Sequence, residues 1–130
     1  MRRPLVLAAC STAALAGCGS GGDKRPGKAV TLERGQVVRV TGTEYRFTPD
    51  QVVILGGGGR IRLRFANKGS LAHDLRLFRG DREVGGTPAF QGGSRSASLR
   101  LAPGNYRMVC TVGDHAQLGM RGLLRVRARN

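Results

Sequence analysis

The sequence has 130 residues, the size of one ordinary domain, and 40% of them are hydrophobic, which is enough to form a core. The absence of tryptophan predicts a mainly aliphatic core, and the 21 glycines favour many turns over long helices. The formal net charge of +14 would suit nucleic-acid binding, but the chain has no nucleic-acid motif and its first residues resemble an export signal, so we expect no binding to nucleic acid.

The N-terminal segment has the organisation of an export signal. Arg2 and Arg3 precede an apolar stretch, residues 4–17, that is too short to span a bilayer stably. This stretch leads into the residues LAGC, which resemble the bacterial lipobox and end at Cys18. We therefore expect residues 1–17 to be a lipoprotein signal peptide and Cys18 to carry lipid outside the cytoplasm, at the cell surface or the periplasmic face. The alternative is a cleaved secretory signal with an incidental cysteine.

Residues 18–29 are small, polar and rich in glycine, which is typical of a flexible tether between lipid and domain. A single folded domain is expected over residues 30–130. Cys10 would leave with the signal peptide and Cys18 would be lipidated, so Cys110 would be the remaining free thiol. An exported protein with one thiol cannot form an internal disulfide, and the thiol must be buried or have another purpose.

Apolar and charged residues alternate through the domain. In RIRLRFAN, from Arg60, three apolar residues alternate with three arginines, and GLLRVRAR, from Gly122, is similar. Alternation of this kind predicts strands with one buried and one solvated face, and the turns between them indicate an all-β sandwich or barrel. The predicted strands are 36–42, 51–55, 60–66, 73–78, 95–101, 105–110 and 121–128. Residues 79–93 are expected to form a longer loop with a helical turn.

The segment VCTVGDHAQLGM, residues 109–120, brings three soft or borderline metal ligands together. Cys110, His115 and Met120 are spaced five residues apart. Five residues turn an α-helix by about 140° net, and five is an odd step along a strand, so neither element would place the three side chains on one face. They can converge if the chain loops around a point, which Gly113 and Gly119 would facilitate.

A second histidine extends this set. His73 lies at the start of a predicted strand and shares the inward phase of Leu75 and Leu77, so its ring can point into one end of the sandwich. One thiolate, two imidazoles and a weak thioether are the ligands of a blue-copper site. We therefore predict one copper ion bound by His73, Cys110, His115 and Met120.

These residues also carry a family resemblance. YRFTPDQVVILGGGGRIRLRFANKGSLAHDLRLF resembles the N-terminal half of the small blue-copper proteins, or cupredoxins, and APGNYRMVCTVGDHAQLGMRGLLRV resembles their C-terminal signature. The resemblance spans about residues 36–128 and implies a Greek-key sandwich of about seven or eight strands. It also implies that His73, Cys110 and His115 are equatorial ligands and that Met120 is axial. The ligand spacing is closer to the rusticyanin and sulfocyanin branch than to plastocyanin.

The sequence departs from the cupredoxin pattern at two positions beside the ligands. Gly113 and Asp114 stand where Pro-Gly is common before the second histidine. Asp74 follows the first histidine, where Asn or Ser is usual. An acid at this position is expected to favour Cu(II) and to lower the reduction potential.

The resemblance implies a one-electron carrier with a type 1 copper centre. The alternative is a protein that delivers or sequesters copper. An enzyme ranks last, because two histidines are too few for a trinuclear copper cluster and a Cys110–His115 nucleophile pair would lack a third member. The expected partners are a transient redox protein, with an acidic surface to match the arginines, and the membrane that holds the lipid. The protein is expected to be a monomer.

Overall fold

The computed structural model describes residues 28–129. The predicted signal peptide, Cys18 and most of the predicted tether therefore lie outside the described residues. Within residues 28–129 the chain forms ten strands and no helix, and accordingly nothing in this range forms a helix suited to crossing a membrane. The strands are β1 (Val30–Glu33), β2 (Val37–Thr43), β3 (Arg46–Thr48), β4 (Gln51–Leu55), β5 (Gly59–Asn67), β6 (Arg76–Arg79), β7 (Arg82–Gly86), β8 (Gly93–Leu101), β9 (Gly104–Val109) and β10 (Arg121–Val126).

The strands form two sheets. One has six strands in the order β1-β4-β10-β9-β6-β7, and the other has four in the order β3-β2-β5-β8. Strand β4 pairs in parallel with both β1 and β10, and β2 pairs in parallel with β5, whereas the remaining neighbours are antiparallel. The predicted all-β class is confirmed, although residues 28–129 form ten strands instead of seven or eight.

Three of the strands were not predicted from the sequence, and the prediction of a longer loop over residues 79–93 was wrong. Strand β7 lies within that segment and forms a hairpin with β6, with Gly80 at a positive φ of 59° in the turn. The prediction failed because β7 ends in two glycines and shows no alternation of apolar and polar residues. Gly86 is required there, since a Cβ would collide with the carbonyl of Leu75. The other unpredicted strands, β1 and β3, have four and three residues and are too short to show a period.

The core lies between the sheets and follows the alternation of the sequence. On β5, Ile61, Leu63 and Phe65 are buried while the arginines between them are exposed. Phe65 makes edge-to-face contacts with Phe47 and Phe90, at ring-centroid distances of 5.7 and 5.6 Å. Each side chain of this size contributes roughly 1.5–3 kcal/mol when fully buried, so the sandwich is a rigid support for the loops at its ends.

Candidate metal centre

Three potential metal ligands meet at one end of the sandwich. The chain reaches Cys110 directly after β9, and His115 lies in the connection between β9 and β10. His73 precedes β6 and pairs with Phe90 in an isolated bridge, so the strand predicted from residue 73 begins three residues later. The side chains of His73, Cys110 and His115 are all buried, with relative exposures of 0%, 1% and 8%.

The donor atoms of these residues form a triangle suited to a metal ion. The two Nδ1 atoms lie 3.1 Å apart, and Cys110 Sγ lies 3.9 Å from Nδ1 of His73 and 3.6 Å from Nδ1 of His115. The point equidistant from the three atoms is about 2.1 Å from each, close to the lengths of about 2.0–2.1 Å for metal–imidazole bonds and about 2.3 Å for metal–thiolate bonds. The triangle therefore fits a trigonal His₂Cys site.

Residues 110–120 carry three of the predicted ligands, and we call this segment the ligand loop. Met120 ends it and is fully buried. The loop closes through backbone hydrogen bonds, because the N–H of Cys110 donates to the carbonyl of Met120 (3.1 Å) and the N–H of Met120 donates to that of His115 (2.9 Å). Gly113 and Gly119 have φ angles of 49° and 120°, so the glycines take the backbone conformations that a tight loop requires. The axial role of Met120 stays a prediction.

The segment that carries His73 is fixed from two sides. Nδ2 of the buried Asn67 donates to the carbonyls of Leu71 and Phe90, both at 2.8 Å. Nε2 of His73 lies 3.2 Å from Oε1 of Glu44. When Nε2–H donates to this carboxylate, Nδ1 is left unprotonated and faces the other two donors.

The segment that carries His73 also orients the carboxylate of Glu44 as a hydrogen-bond acceptor. Its carboxylate accepts a hydrogen bond of 2.9 Å from the N–H of Leu71. This bond is the main cause that lowers the pKa of Glu44, with a further contribution from His73 and with desolvation acting in the opposite direction. The carboxylate beside the histidine is therefore negatively charged at neutral pH.

The ring of His115 is the part of the centre nearest to solvent. It lies against the rings of Tyr45 and His73, with centroid distances of 4.9 Å to each. Leu118, three residues further along the loop, is 52% exposed. The edge of the His115 ring is therefore the part of the centre closest to the protein surface.

Burial raises the pKa of the Cys110 thiol, although hydrogen bonding from the backbone of Asp74 and Val112 acts in the opposite direction. The thiol is therefore protonated at neutral pH when no metal is bound. A metal ion that binds here must displace this proton, which couples metal affinity to pH.

Comparisons with known proteins give structural matches only. No family model matches the sequence, and no curated protein matches it either. The structure is similar to reduced auracyanin from the photosynthetic bacterium Roseiflexus castenholzii, with a TM-score of 0.63 and 18% identity over 75% of this chain and 97% of that chain. Rusticyanin from Thiobacillus ferrooxidans gives a TM-score of 0.63 and 22% identity, covering 80% and 85% of the two chains.

Auracyanin A, described as a "blue" copper protein from the green thermophilic photosynthetic bacterium Chloroflexus aurantiacus, is also similar, with a TM-score of 0.60 and 19% identity over 76% of this chain and 99% of that chain. The chain has the cupredoxin fold. Identities this low establish the fold alone. The chemistry of the site in this cupredoxin fold therefore depends on its own residues.

Asp74 connects the two ligand segments of the cupredoxin fold. It is buried, and its carboxylate accepts hydrogen bonds from the N–H and the hydroxyl of Thr111, at 2.7 and 2.5 Å. Because Asp74 follows His73 and Thr111 follows Cys110, these bonds fix the distance between two of the three donors. The acid at position 74, where Asn or Ser is usual in cupredoxins, therefore holds the two ligand segments together.

Sequence reasoning missed the partners Glu44, Thr111 and Tyr45. Glu44 directly follows β2, 29 residues before the histidine it contacts. A single acidic residue after a strand is ordinary, and only the fold brings it to the ring. A polar residue directly after Cys110 was the one signal that could have suggested a bond between the ligand segments.

Proposed function

We propose that this protein is a one-electron carrier with a mononuclear type 1 copper centre bound by His73, Cys110 and His115, with Met120 as the axial ligand. The triangle of two Nδ1 atoms and one Sγ, with sides of 3.1, 3.6 and 3.9 Å, carries the proposal. A thiolate is a soft donor that suits Cu(I), whereas imidazole suits both oxidation states. The blue-copper character of auracyanin A, which has the same fold, supports this choice of metal.

Copper bound here would supply a single electron by cycling between Cu(I) and Cu(II). The chain's own contribution is to hold the donors still. Asn67 and the Asp74–Thr111 hydrogen bonds fix the positions of His73 and Cys110 whether or not the metal changes its charge. Buried ligands that keep one geometry in both oxidation states of the metal lower the reorganisation energy of electron transfer. The nearly buried site also excludes water.

Titration of the metal-free protein with Cu(II), followed by absorption spectroscopy, tests the proposal. One equivalent should produce an intense visible band from thiolate-to-copper charge transfer. The band should vanish on reduction and return on oxidation without loss of copper. Release of the metal on reduction would instead favour copper delivery, and the absence of any intense band would overturn the proposal.

We further propose that Glu44 lowers the reduction potential. Replacement by Gln keeps an oxygen that can accept the hydrogen bond from His73 but removes the negative charge, which favours Cu(II) more than Cu(I). Loss of an outer partner of this kind weakens metal binding by roughly 10–100-fold. Voltammetry of Glu44→Gln should therefore show a higher potential with little change in the visible band. Glu33→Gln, an exposed position on β1, is the control, and an equal shift in both variants would contradict the role of Glu44.

We also propose that the protein is exported and anchored outside the cytoplasm through lipid on Cys18. The apolar stretch and the residues LAGC that end at Cys18 support this location. Labelling with a fatty-acid precursor in a bacterial host should mark the wild type, and Cys18→Ala should abolish the label. If labelled protein persists in the membrane fraction of the variant, the anchor is elsewhere.

A further inference from the structure

The outward side of the four-stranded sheet is strongly and uniformly basic. The inward positions of β5 are apolar, so its exposed residues and their neighbours in register on β2, β3 and β8 form the opposite side. We call this side the arginine face. Its charged residues are Arg39, Arg46, Arg60, Arg62, Arg64 and Arg100. No strand residue on this face is acidic, and its other members are mainly Ser and Thr.

The arrangement of these arginines is unfavourable for folding. Arg60 lies opposite Arg100 on β8, and Arg64 is in register with Arg39 on β2. Like charges directly opposite one another on neighbouring strands are destabilising. Strands β2 and β5 are also central in the sheet, so the charges are not needed to protect an exposed strand edge.

The six-stranded sheet shows a different pattern. It carries Glu33 on β1 and Glu83 on β7 beside its arginines, and Glu83 forms an ion pair with Arg76. A sheet surface that only needs to be soluble can mix charges in this way. Solubility alone therefore does not explain why the charged residues on the outward side of the four-stranded sheet are all positive.

We propose that the arginine face binds the anionic headgroups of a lipid bilayer. The guanidinium group forms paired hydrogen bonds with phosphate oxygens and binds them better than a simple point charge does. A four-stranded sheet gives a surface roughly 15 Å wide, which suits a planar array of phosphates.

The same face is poorly suited to a protein partner. The anchors of protein interfaces are mainly Trp, Tyr and Arg side chains that are set in well-packed, desolvated pockets at the centre of the contact. The residues between the arginines are small, such as Ala66 and Ser96, and the aliphatic Val37, in register with Arg62, is partly buried. Charge complementarity without an apolar centre therefore favours headgroups over an acidic protein.

Binding in this orientation would leave the metal centre accessible. Strand β5 runs along the face towards Asn67, which supports the segment of His73, so the centre lies at the end of the strands and not on the arginine face. A bilayer against this face would leave the edge of His115 free for a second protein. The inference does not depend on which metal the centre holds.

Vesicle co-sedimentation of the full chain tests this inference. Vesicles of phosphatidylglycerol mixed with phosphatidylcholine are compared with vesicles of phosphatidylcholine alone, and the ratio of the two partition coefficients is measured. The N-terminal segment is the same in the wild type and in every variant, so its own affinity for a bilayer cancels when the proteins are compared. The wild type should prefer the anionic vesicles, and the preference should disappear above about 0.5 M NaCl because charges are then screened within a few ångströms.

The decisive variant is Arg39→Ser, Arg60→Ser, Arg64→Ser. Each arginine near an anionic surface changes partitioning by about fivefold, so the triple variant should reduce the preference by roughly 100-fold. The matched control replaces three exposed arginines outside the arginine face, Arg82, Arg127 and Arg129, by Ser and so removes the same charge. It should keep most of the preference for anionic vesicles. Unfolding curves check that both variants are folded.

Equal losses in the two triple variants would show that net charge alone directs binding and would overturn the proposal. No preference of the wild type for anionic vesicles would do the same. Binding of soluble polyglutamate by the arginine face, with no binding to phosphatidylglycerol, would assign the face to an acidic protein instead.

Discussion

Replacement of Cys110 by Ser should abolish the intense visible absorption of the copper-loaded protein. Cys110 is the free cysteine among the described residues, and its Sγ lies within 3.9 Å of both imidazole donors. A hydroxyl is a hard, weakly acidic donor and cannot give the charge-transfer band of a thiolate. Copper should bind much more weakly and without intense colour.

The fold should survive this substitution. Cys110 is 1% exposed, so serine places a hydroxyl in a buried position, but the nearby imidazole nitrogens can satisfy its hydrogen bonds. We expect a loss of stability of about 1–2 kcal/mol, which unfolding of the metal-free proteins would measure. Cys18→Ala is a control that removes a cysteine outside the predicted copper site and should retain the full band. A full band in Cys110→Ser would show that this thiolate is not a ligand.

The alternation of residues predicted the strands that build the core. Strand β5 was predicted at 60–66 and observed at Gly59–Asn67, because burial of one face of a central strand produces a clear period of two. Strand β7 has no such signal, since a Cβ at Gly86 would collide with the backbone of Leu75 and Arg76, and a Cβ at Gly85 would collide with the side chain of Leu99. The sequence pattern therefore revealed strands with a hydrophobic inner face and missed the strand defined by tight backbone packing.

The metal centre shows a similar division. Unusual residue types in a short segment drew attention to Cys110, His115 and Met120, and the inward phase of a strand suggested His73. The triangle of donors could not be derived in this way, because it depends on the loop returning to Cys110 and on contacts between distant segments. Glu44 illustrates the limit, since its contact with His73 exists only through the pairing of β2 with β5.

Met120→Leu should raise the reduction potential while the blue colour persists. The thioether is expected to be a weak axial donor, and its loss makes the site more trigonal and disfavours Cu(II). For a one-electron couple, each tenfold weakening of Cu(II) binding relative to Cu(I) raises the potential by about 59 mV, and we expect a rise of about 60–120 mV. Voltammetry of both proteins under the same conditions would measure it.

Met108→Leu is the matched control for this experiment. Met108 and Met120 are both 0% exposed, so each replacement changes a fully buried thioether to an isosteric hydrocarbon at a cost below about 1.5 kcal/mol. Met108 lies on β9 beside Gly122, and its replacement should leave the potential nearly unchanged. A rise only in Met120→Leu would identify the axial donor, because packing changes alone would affect both variants. An unchanged or lower potential in Met120→Leu would remove this residue from the copper site and leave Met108 or a backbone carbonyl as the candidate.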